Sequence, residues 1–86
     1  MLKVYSKDNC TYCVQAKKLL ESKNIEYAEV RVDLDPSARE FVMSRGHRTV
    51  PQIYLDDTLF VEGGFQGLMK LSDQELKEKL NVSITE

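Results

Sequence analysis

The segment LKVYSKDNCTYCVQAKKLLESK, residues 2–23, carries both cysteines of the chain at the point where one pattern of apolar residues gives way to another. Apolar and polar side chains alternate over residues 2–6, as in a strand with one buried face. From residue 11 to residue 23 the apolar side chains recur at helical spacing, and Asn24 is a residue type that commonly ends a helix. The segment therefore predicts a strand followed by a helix, with Cys10 and Cys13 at their junction.

Outside this segment, strands and helices continue to alternate. The pattern predicts a strand over residues 27–33, followed by a helix that Asp35-Pro36 begins and Gly46 ends. It then predicts a hairpin whose strands, 52–55 and 59–61, flank residues 56–58. Two helices follow, one over residues 65–71 and a last one that starts at the capping-box segment 72–75. A helix joins the first two strands, which favours a parallel pair, whereas hairpin strands run antiparallel. We therefore expect an α/β architecture, a four-stranded mixed sheet flanked by helices on both faces.

Length, composition and charge narrow the class of protein. The 86 residues give room for one modest hydrophobic core, so we expect residues 1–86 to form a single domain. The net charge is −2 and the basic residues are scattered, so neither nucleic acid nor a membrane surface is an expected partner. No apolar run has the length of a membrane span and no signal-peptide pattern is visible, which predicts a cytoplasmic protein.

Two cysteines in a short chain allow three interpretations. A structural disulfide is typical of small secreted domains, but these usually carry four or more cysteines, and a bridge between residues three apart constrains the unfolded chain little. A zinc site needs further ligands, and His47 is the only histidine, so no metal site is expected. The third interpretation is a redox-active pair, which the position of the cysteines favours.

The position of the pair predicts a different role for each cysteine. Disulfide exchange requires a thiolate, and the unpaired N–H groups and positive dipole end of a helix N-terminus favour that anion at Cys10. Lys7, three residues earlier, adds a positive charge nearby. Cys13 lies one turn inside the helix, where it is less exposed and can attack a mixed disulfide formed by Cys10. We therefore expect Cys10 to be the nucleophile and Cys13 the resolving thiol.

With the pair in this context, three motifs taken in order resemble the dithiol glutaredoxins along nearly the whole chain. Tyr5-Ser6-Lys7 followed by residues 10–13 resembles the strand and C-P-Y-C site of that family, Thr49-Val50-Pro51 resembles its T-V-P segment, and Gly63-Gly64-Phe65 resembles its G-G-aromatic turn. The resemblance implies a thioredoxin-like fold and a thiol–disulfide oxidoreductase, an enzyme that maintains cellular thiols in the reduced state.

The resemblance also implies how a thiol substrate is held. The Val50–Pro51 bond is expected to be cis, which a proline bond adopts at little cost and which would bring Pro51 beside the two cysteines. The segment that starts at Thr49 would then offer the Val50 backbone N–H and C=O to an extended substrate. Glutathione is the implied co-substrate, with Lys7 and Arg48 facing its glycyl carboxylate and no tightly bound cofactor.

The remaining glutathione contacts follow from the turn after Val61. By resemblance, the backbone of Gly64 and Phe65 suits the γ-glutamyl carboxylate, and Tyr12 forms a wall of the site. Gln66 stands where the family often has an acidic or hydroxyl residue, so it can hydrogen-bond the amino group but supplies no charge. Glu62 places a negative charge near an arriving carboxylate. His47 is expected to be a polar surface residue without a role.

Three functions stay open within this resemblance. The leading one is a glutathione-dependent glutaredoxin that acts as a monomer on disulfide-containing proteins and glutathione mixed disulfides. The residues 45–48 (Arg-Gly-His-Arg) resemble glutaredoxin-like redoxins that donate electrons to ribonucleotide reductase and are recycled by thioredoxin reductase. A third function is a scaffold in which two chains hold an iron–sulfur cluster through Cys10 and two glutathiones.

Overall fold

The computed structural model describes residues 1–81, which form four strands and four helices. The elements are β1 (Leu2–Ser6), α1 (Thr11–Ser22), β2 (Ala28–Arg31), α2 (Pro36–Ser44), β3 (Gln52–Leu55), β4 (Thr58–Leu59), α3 (Phe65–Met69) and α4 (Asp73–Asn81). The strand order is β2-β1-β3-β4, with β1 and β2 parallel and the other two pairs antiparallel. The predicted mixed sheet and thioredoxin-like fold are therefore confirmed.

The sheet buries apolar side chains on both of its faces, because successive residues of a strand point to opposite sides. One core joins Leu2 and Val4 of β1 and Ile53 of β3 to side chains from α1, α3 and α4, among them Ala16, Leu20, Leu68 and Leu76. The other joins Tyr5 and Tyr54 to Ala38 and Val42 of α2. Helix α2 thus covers one face alone, and the three other helices cover the opposite face.

Side-chain caps begin two of the helices as the sequence predicts. The Asp35 side chain accepts hydrogen bonds from the backbone N–H groups of Ser37 and Ala38, at 3.0 and 3.3 Å, and Pro36 is the first residue of α2. Before α4, the Ser72 hydroxyl accepts from the Glu75 N–H at 3.1 Å while the Glu75 carboxylate accepts from the Ser72 N–H at 2.9 Å. The capping box is confirmed.

Three predicted elements are shorter than expected. Strand β2 ends at Arg31 because the Arg31 carbonyl accepts from the N–H groups of Leu34 and Asp35, which turns the chain toward α2. Strand β4 ends at Leu59, although the Phe60 N–H still bonds the Ile53 carbonyl. Helix α3 ends at Met69, where the Leu71 N–H bonds Leu68 three residues back. At the ends of β2 and α3, hydrogen bonds between residues three or four apart turn the chain and end an element that the apolar pattern would continue.

None of the helices described over residues 1–81 combines the length and apolar character required to cross a membrane.

Candidate active site

Cys10 and Cys13 form a disulfide at the N-terminus of α1, with their Cα atoms 5.2 Å apart. Cys10 is the N-cap residue of that helix, and its sulfur accepts a hydrogen bond from the Cys13 backbone N–H at 3.3 Å. Cys10 is partly exposed, whereas only 1% of the Cys13 surface is accessible. The fold therefore presents one sulfur to solvent, beside a helix-end donor, and keeps the other beneath it.

The segment of residues 49–51 lies directly beside the pair. The Cys10 sulfur is 3.7 Å from the Val50 carbonyl oxygen, and the Val50–Pro51 bond is cis, as the resemblance predicts. The side-chain amide of Gln52 donates to the Thr49 carbonyl oxygen at 2.8 Å, which ties the start of the segment to β3. Val50 therefore holds a fixed position next to the exposed sulfur.

Gly64 packs against Pro51 from the other side. Its backbone has φ 58° and ψ −123°, and a Cβ there would overlap the Pro51 carbonyl oxygen and lie 3.3 Å from the Pro51 Cγ. Only glycine accepts this backbone conformation readily. The fold thus brings the G-G-aromatic turn into direct contact with the T-V-P segment. In the sequence, Gly63 comes 12 residues after Pro51.

Aromatic side chains extend this contact toward solvent. Tyr12 is 54% exposed and stacks on Phe65, with the ring centroids 6.0 Å apart and the planes 25° from parallel. Phe65 is the first residue of α3, and Gly64 is its N-cap. Gln66 and Glu62 are both exposed on either side of these residues. The structure thus places Tyr12 beside Phe65, at the exposed edge of the turn that follows Val61.

A groove with several positive side chains opens beside Val50, and we call it the cationic groove. Its cations are Lys7, Arg39 and Arg48, and its apolar side includes Val32 and Met43. Within residues 1–81 none of these three cations forms an ion pair. The structure thus brings Lys7 and Arg48 to one groove, as expected from the resemblance, and adds Arg39.

Among residues 1–81, the one carboxylate that lines the cationic groove is paired with a cation outside the groove lining. Asp33 accepts two hydrogen bonds from Arg31, at 2.8 and 2.6 Å, and a third from the Asp8 backbone N–H at 3.1 Å. The Arg31 guanidinium lowers the pKa of Asp33 to about 2, and the Asp8 N–H contributes to the shift. Asp33 therefore stays ionised, and its main effect is to fasten residues 7–9, which lead into Cys10, to the end of β2.

A second polar cluster lies on the α1 side of β2. Ser6, which is fully buried, donates to Glu29 at 2.6 Å, and Lys17 donates to the same carboxylate at 2.8 Å. The Lys17 and Ser6 hydrogen bonds lower the pKa of Glu29. Glu29 and Lys17 also line a small cleft together with Cys10 and Cys13. The buried Ser6 hydroxyl beside it has its hydrogen-bond partner in Glu29.

Sequence reasoning missed Arg39 and misjudged the surroundings of His47. Arg39 belongs to no motif, and only the packing of α2 across the sheet brings it to the cationic groove. His47 was expected on the surface, but it is half-buried and its Nε2 lies 2.7 Å from the Tyr54 hydroxyl oxygen. The prediction about its environment is wrong, because Tyr54 points to the same side of the sheet as the loop that carries His47.

Comparisons with known proteins agree with this geometry. The Glutaredoxin family model matches residues 2–60. Glutaredoxin 3 of Escherichia coli (strain K12) is 36% identical over 80 residues, covering 80% of this chain and 96% of that protein. The glutaredoxin-like protein NrdH of Lactococcus lactis subsp. cremoris is 40% identical over 60 residues, covering 70% and 83%.

A solved structure resembles the chain over most of its length. The buckwheat glutaredoxin–glutathione complex superposes with a TM-score of 0.67 at 26% identity, covering 92% of this chain and 71% of that one. The family match spans both cysteines, the T-V-P segment and all four strands. The chain therefore belongs to the glutaredoxin family, whose members are thiol–disulfide oxidoreductases.

Proposed function

We propose that this protein reduces protein disulfides and glutathione mixed disulfides, with glutathione as the electron donor. The observation that carries the proposal is the cationic groove, which opens beside Val50 and the exposed Cys10 sulfur. Glutathione is a thiol with two carboxylates, and cations that lack an ion pair are suited to receive them. We place the activity in the cytoplasm, where glutathione keeps thiols reduced.

The reductive half-reaction uses the two cysteines in sequence. The Cys10 thiolate attacks one sulfur of the substrate disulfide, a new S–S bond forms, and the other substrate sulfur leaves as a thiolate that takes up a proton. Cys13 then loses its proton and attacks the Cys10 sulfur, which releases the second substrate thiolate. The substrate gains two electrons, and the protein is left with the Cys10–Cys13 disulfide seen in the structure.

Two molecules of glutathione restore the dithiol. The first attacks Cys10, which gives a glutathione mixed disulfide there and frees the Cys13 thiolate. The second attacks the sulfur of the bound glutathione, so that glutathione disulfide leaves and Cys10 returns as a thiolate. The two glutathione molecules have then lost two electrons, which the protein disulfide has gained. Attack at Cys10 follows from its partial exposure, whereas Cys13 is buried.

Each end of glutathione has residues suited to it. The glycyl carboxylate is assigned to Lys7 and Arg48, and Arg39 lines the same groove. The cysteinyl backbone is assigned to Val50, in the manner of an added strand. The γ-glutamyl end is assigned to the backbone at Gly64 and Phe65, beside the exposed Gln66 side chain. The buckwheat relative, which was solved as a glutathione complex, supports glutathione as the ligand of this site.

A recycling assay tests the proposal. The oxidised protein is supplied with glutathione, glutathione reductase and NADPH, and NADPH oxidation is followed in the wild type and in Arg48→Glu. Charge-assisted hydrogen bonds contribute about 1.5–3 kcal/mol, and solvent screening at an exposed residue reduces this to about 1 kcal/mol. We therefore expect reversal of the charge to slow glutathione-dependent reduction about five- to tenfold.

Two controls separate charge recognition from general damage. Lys18→Glu makes the same change of charge at an exposed residue of α1 outside the cationic groove, and we expect it to react at the wild-type rate. Dithiothreitol is neutral and needs no carboxylate site, so it should reduce Arg48→Glu and the wild type equally fast. Equal glutathione rates for Arg48→Glu and Lys18→Glu would contradict the proposed recognition.

A redoxin that serves ribonucleotide reductase is the second candidate. Glu62 is an exposed carboxylate next to Gly63 and Gly64, where it opposes the arrival of an anionic ligand. The similarity to the glutaredoxin-like protein NrdH also supports this candidate. Turnover with thioredoxin reductase and NADPH, together with no turnover in the glutathione assay, would replace the first proposal by the second.

A further inference from the structure

The loop of residues 45–51 joins α2 to β3 and carries both Arg48 and Val50. Within it, the backbone N–H of His47 donates to the Val42 carbonyl oxygen at 3.0 Å, so the residue is fixed to the end of α2. In its side chain, Nε2 lies 2.7 Å from the hydroxyl oxygen of Tyr54. His47 therefore connects the loop to α2 through its backbone and to the sheet through its ring.

Tyr54 is a rigid partner for this contact. It lies in β3, only 2% of its surface is exposed, and its ring packs edge-on against Phe41 and Tyr5 at 5.2 and 5.7 Å between centroids. The His47 ring itself lies edge-on to Tyr54, at 5.7 Å and 79°. A buried hydroxyl that loses its partner is costly, so the hydrogen bond holds both groups in place.

Arg48 follows His47 directly, and its own side chain is exposed along the cationic groove. On its other side, the Thr49 carbonyl is held by the Gln52 amide at 2.8 Å. Two attachments to β3 thus flank the one residue whose guanidinium is assigned to the substrate carboxylate. The Arg48 side chain has no hydrogen bond of its own to residues 1–81, so its backbone decides where the guanidinium can reach.

We propose that the hydrogen bond between His47 and Tyr54 positions Arg48 for recognition of a carboxylate-bearing thiol, which makes His47 and Tyr54 positioning residues of the cationic groove. The inference rests on the proposed function, because it assigns these two residues to the recognition step. The bond forms with either group as the donor, since the Tyr54 hydroxyl can donate to or accept from the imidazole. The contact therefore acts as a fixed support.

The direct test removes the hydroxyl and leaves the ring. Tyr54→Phe is compared with Tyr5→Phe, a matched change in the same aromatic cluster at a residue whose hydroxyl makes no hydrogen bond within residues 1–81. We expect Tyr54→Phe to raise the KM for glutathione about three- to fivefold, the effect of losing one neutral hydrogen bond. We expect kcat and the dithiothreitol rate of both variants to stay within about twofold of the wild type.

A double-mutant cycle with Arg48→Ala asks whether the effect passes through Arg48. If it does, Arg48→Ala raises the KM by itself, and adding Tyr54→Phe raises it further by less than about twofold. If Tyr54→Phe raises the KM equally with and without Arg48→Ala, the inference is overturned, because the change would then loosen the site in general. An unchanged KM in the single variant Tyr54→Phe also overturns it. An unchanged KM in Arg48→Ala instead overturns the recognition of the carboxylate at Arg48, and the inference with it.

Changes at His47 test the same contact from the other side. His47→Gln keeps a side-chain amide that can hydrogen-bond the Tyr54 hydroxyl, whereas His47→Ala removes the partner. We expect the KM of His47→Gln to be close to that of the wild type and the KM of His47→Ala to match that of Tyr54→Phe. A merely structural role would lower the melting temperature of both variants without this difference in KM, and that result overturns the inference.

Discussion

Replacing Gly64 by alanine tests whether the contact between the G-G-aromatic turn and the T-V-P segment shapes the active site. The new Cβ would overlap the Pro51 carbonyl oxygen, and the backbone at φ 58° and ψ −123° is close to a glycine-only region. Such a conformation costs a side chain about 1–3 kcal/mol, and overpacking adds about 1–3 kcal/mol. We therefore expect Gly64→Ala to lower the free energy of unfolding by about 4 kcal/mol.

The neighbouring glycine supplies a matched control. Gly63 also has a positive φ, 84°, but a Cβ there would meet only the Gly67 backbone nitrogen at an ordinary 3.7 Å. We therefore expect Gly63→Ala to lower the free energy of unfolding by about 1–2 kcal/mol through its backbone conformation alone, because the new Cβ overlaps no atom. The expected gap between the variants, about 2 kcal/mol, corresponds to about 8–16 °C in melting temperature for a domain of this size.

Thermal unfolding followed by circular dichroism measures that gap, and a mixed-disulfide exchange assay on the same samples measures the consequence at the site. Since the overlap is relieved by moving Pro51 and Gly64 apart, we expect Gly64→Ala to lose exchange activity well beyond the loss in Gly63→Ala. Equal melting temperatures and equal exchange rates for the two variants would refute the reasoning, because the close approach would then have no structural role.

Three further predictions address other parts of the molecule. In the reduced protein, iodoacetamide should alkylate Cys10 before Cys13, and Cys10→Ser should abolish all thiol exchange while Cys13→Ser retains exchange with glutathione mixed disulfides; faster labelling of Cys13 would reverse the assigned roles. The pKa of Asp33 falls from 3.8 to about 2 on pairing with Arg31, so this carboxylate stabilises the fold above about pH 4 and the effect is lost as pH falls through 2. Denaturation titrations over that range should show a shallower pH dependence in Asp33→Asn, and identical slopes would argue against the pair. Ser72→Ala removes the cap of α4 and should lower the unfolding free energy by about 1 kcal/mol in a urea titration, and an unchanged midpoint would contradict this prediction.

Local rules were sufficient to predict much of the fold and part of the site. Asp35 and the Ser72 capping box are typical of helix starts, because their side chains satisfy N–H groups that the helix itself leaves unpaired. The start of helical spacing at residue 11 places Cys10 at the N-terminus of α1, where it is the N-cap. These features depend on neighbours within four residues, so the sequence alone specifies them.

Features that depend on distant segments were beyond such rules. Arg39 reaches the cationic groove only because α2 lies across the sheet face formed by Tyr5 and Tyr54. His47 was judged from its loop, yet its environment is set by a tyrosine seven residues later on β3. In both cases the surroundings of the side chain depend on how separate elements pack together, which the local pattern of apolar residues does not reveal.

The cap of α1 has a consequence for observing the chemistry. The Cys13 amide hydrogen points at the Cys10 sulfur, 3.3 Å from its nitrogen. In the proposed cycle that sulfur is a thiolate in the reduced protein and is bonded to a substrate in the intermediate, and in the oxidised form it is bonded to Cys13. Because the chemical shift of an amide proton follows the charge on its acceptor, this backbone resonance would distinguish the thiolate from the two disulfide forms. The amide resonance of Cys13 thus reports the redox state of the Cys10 sulfur.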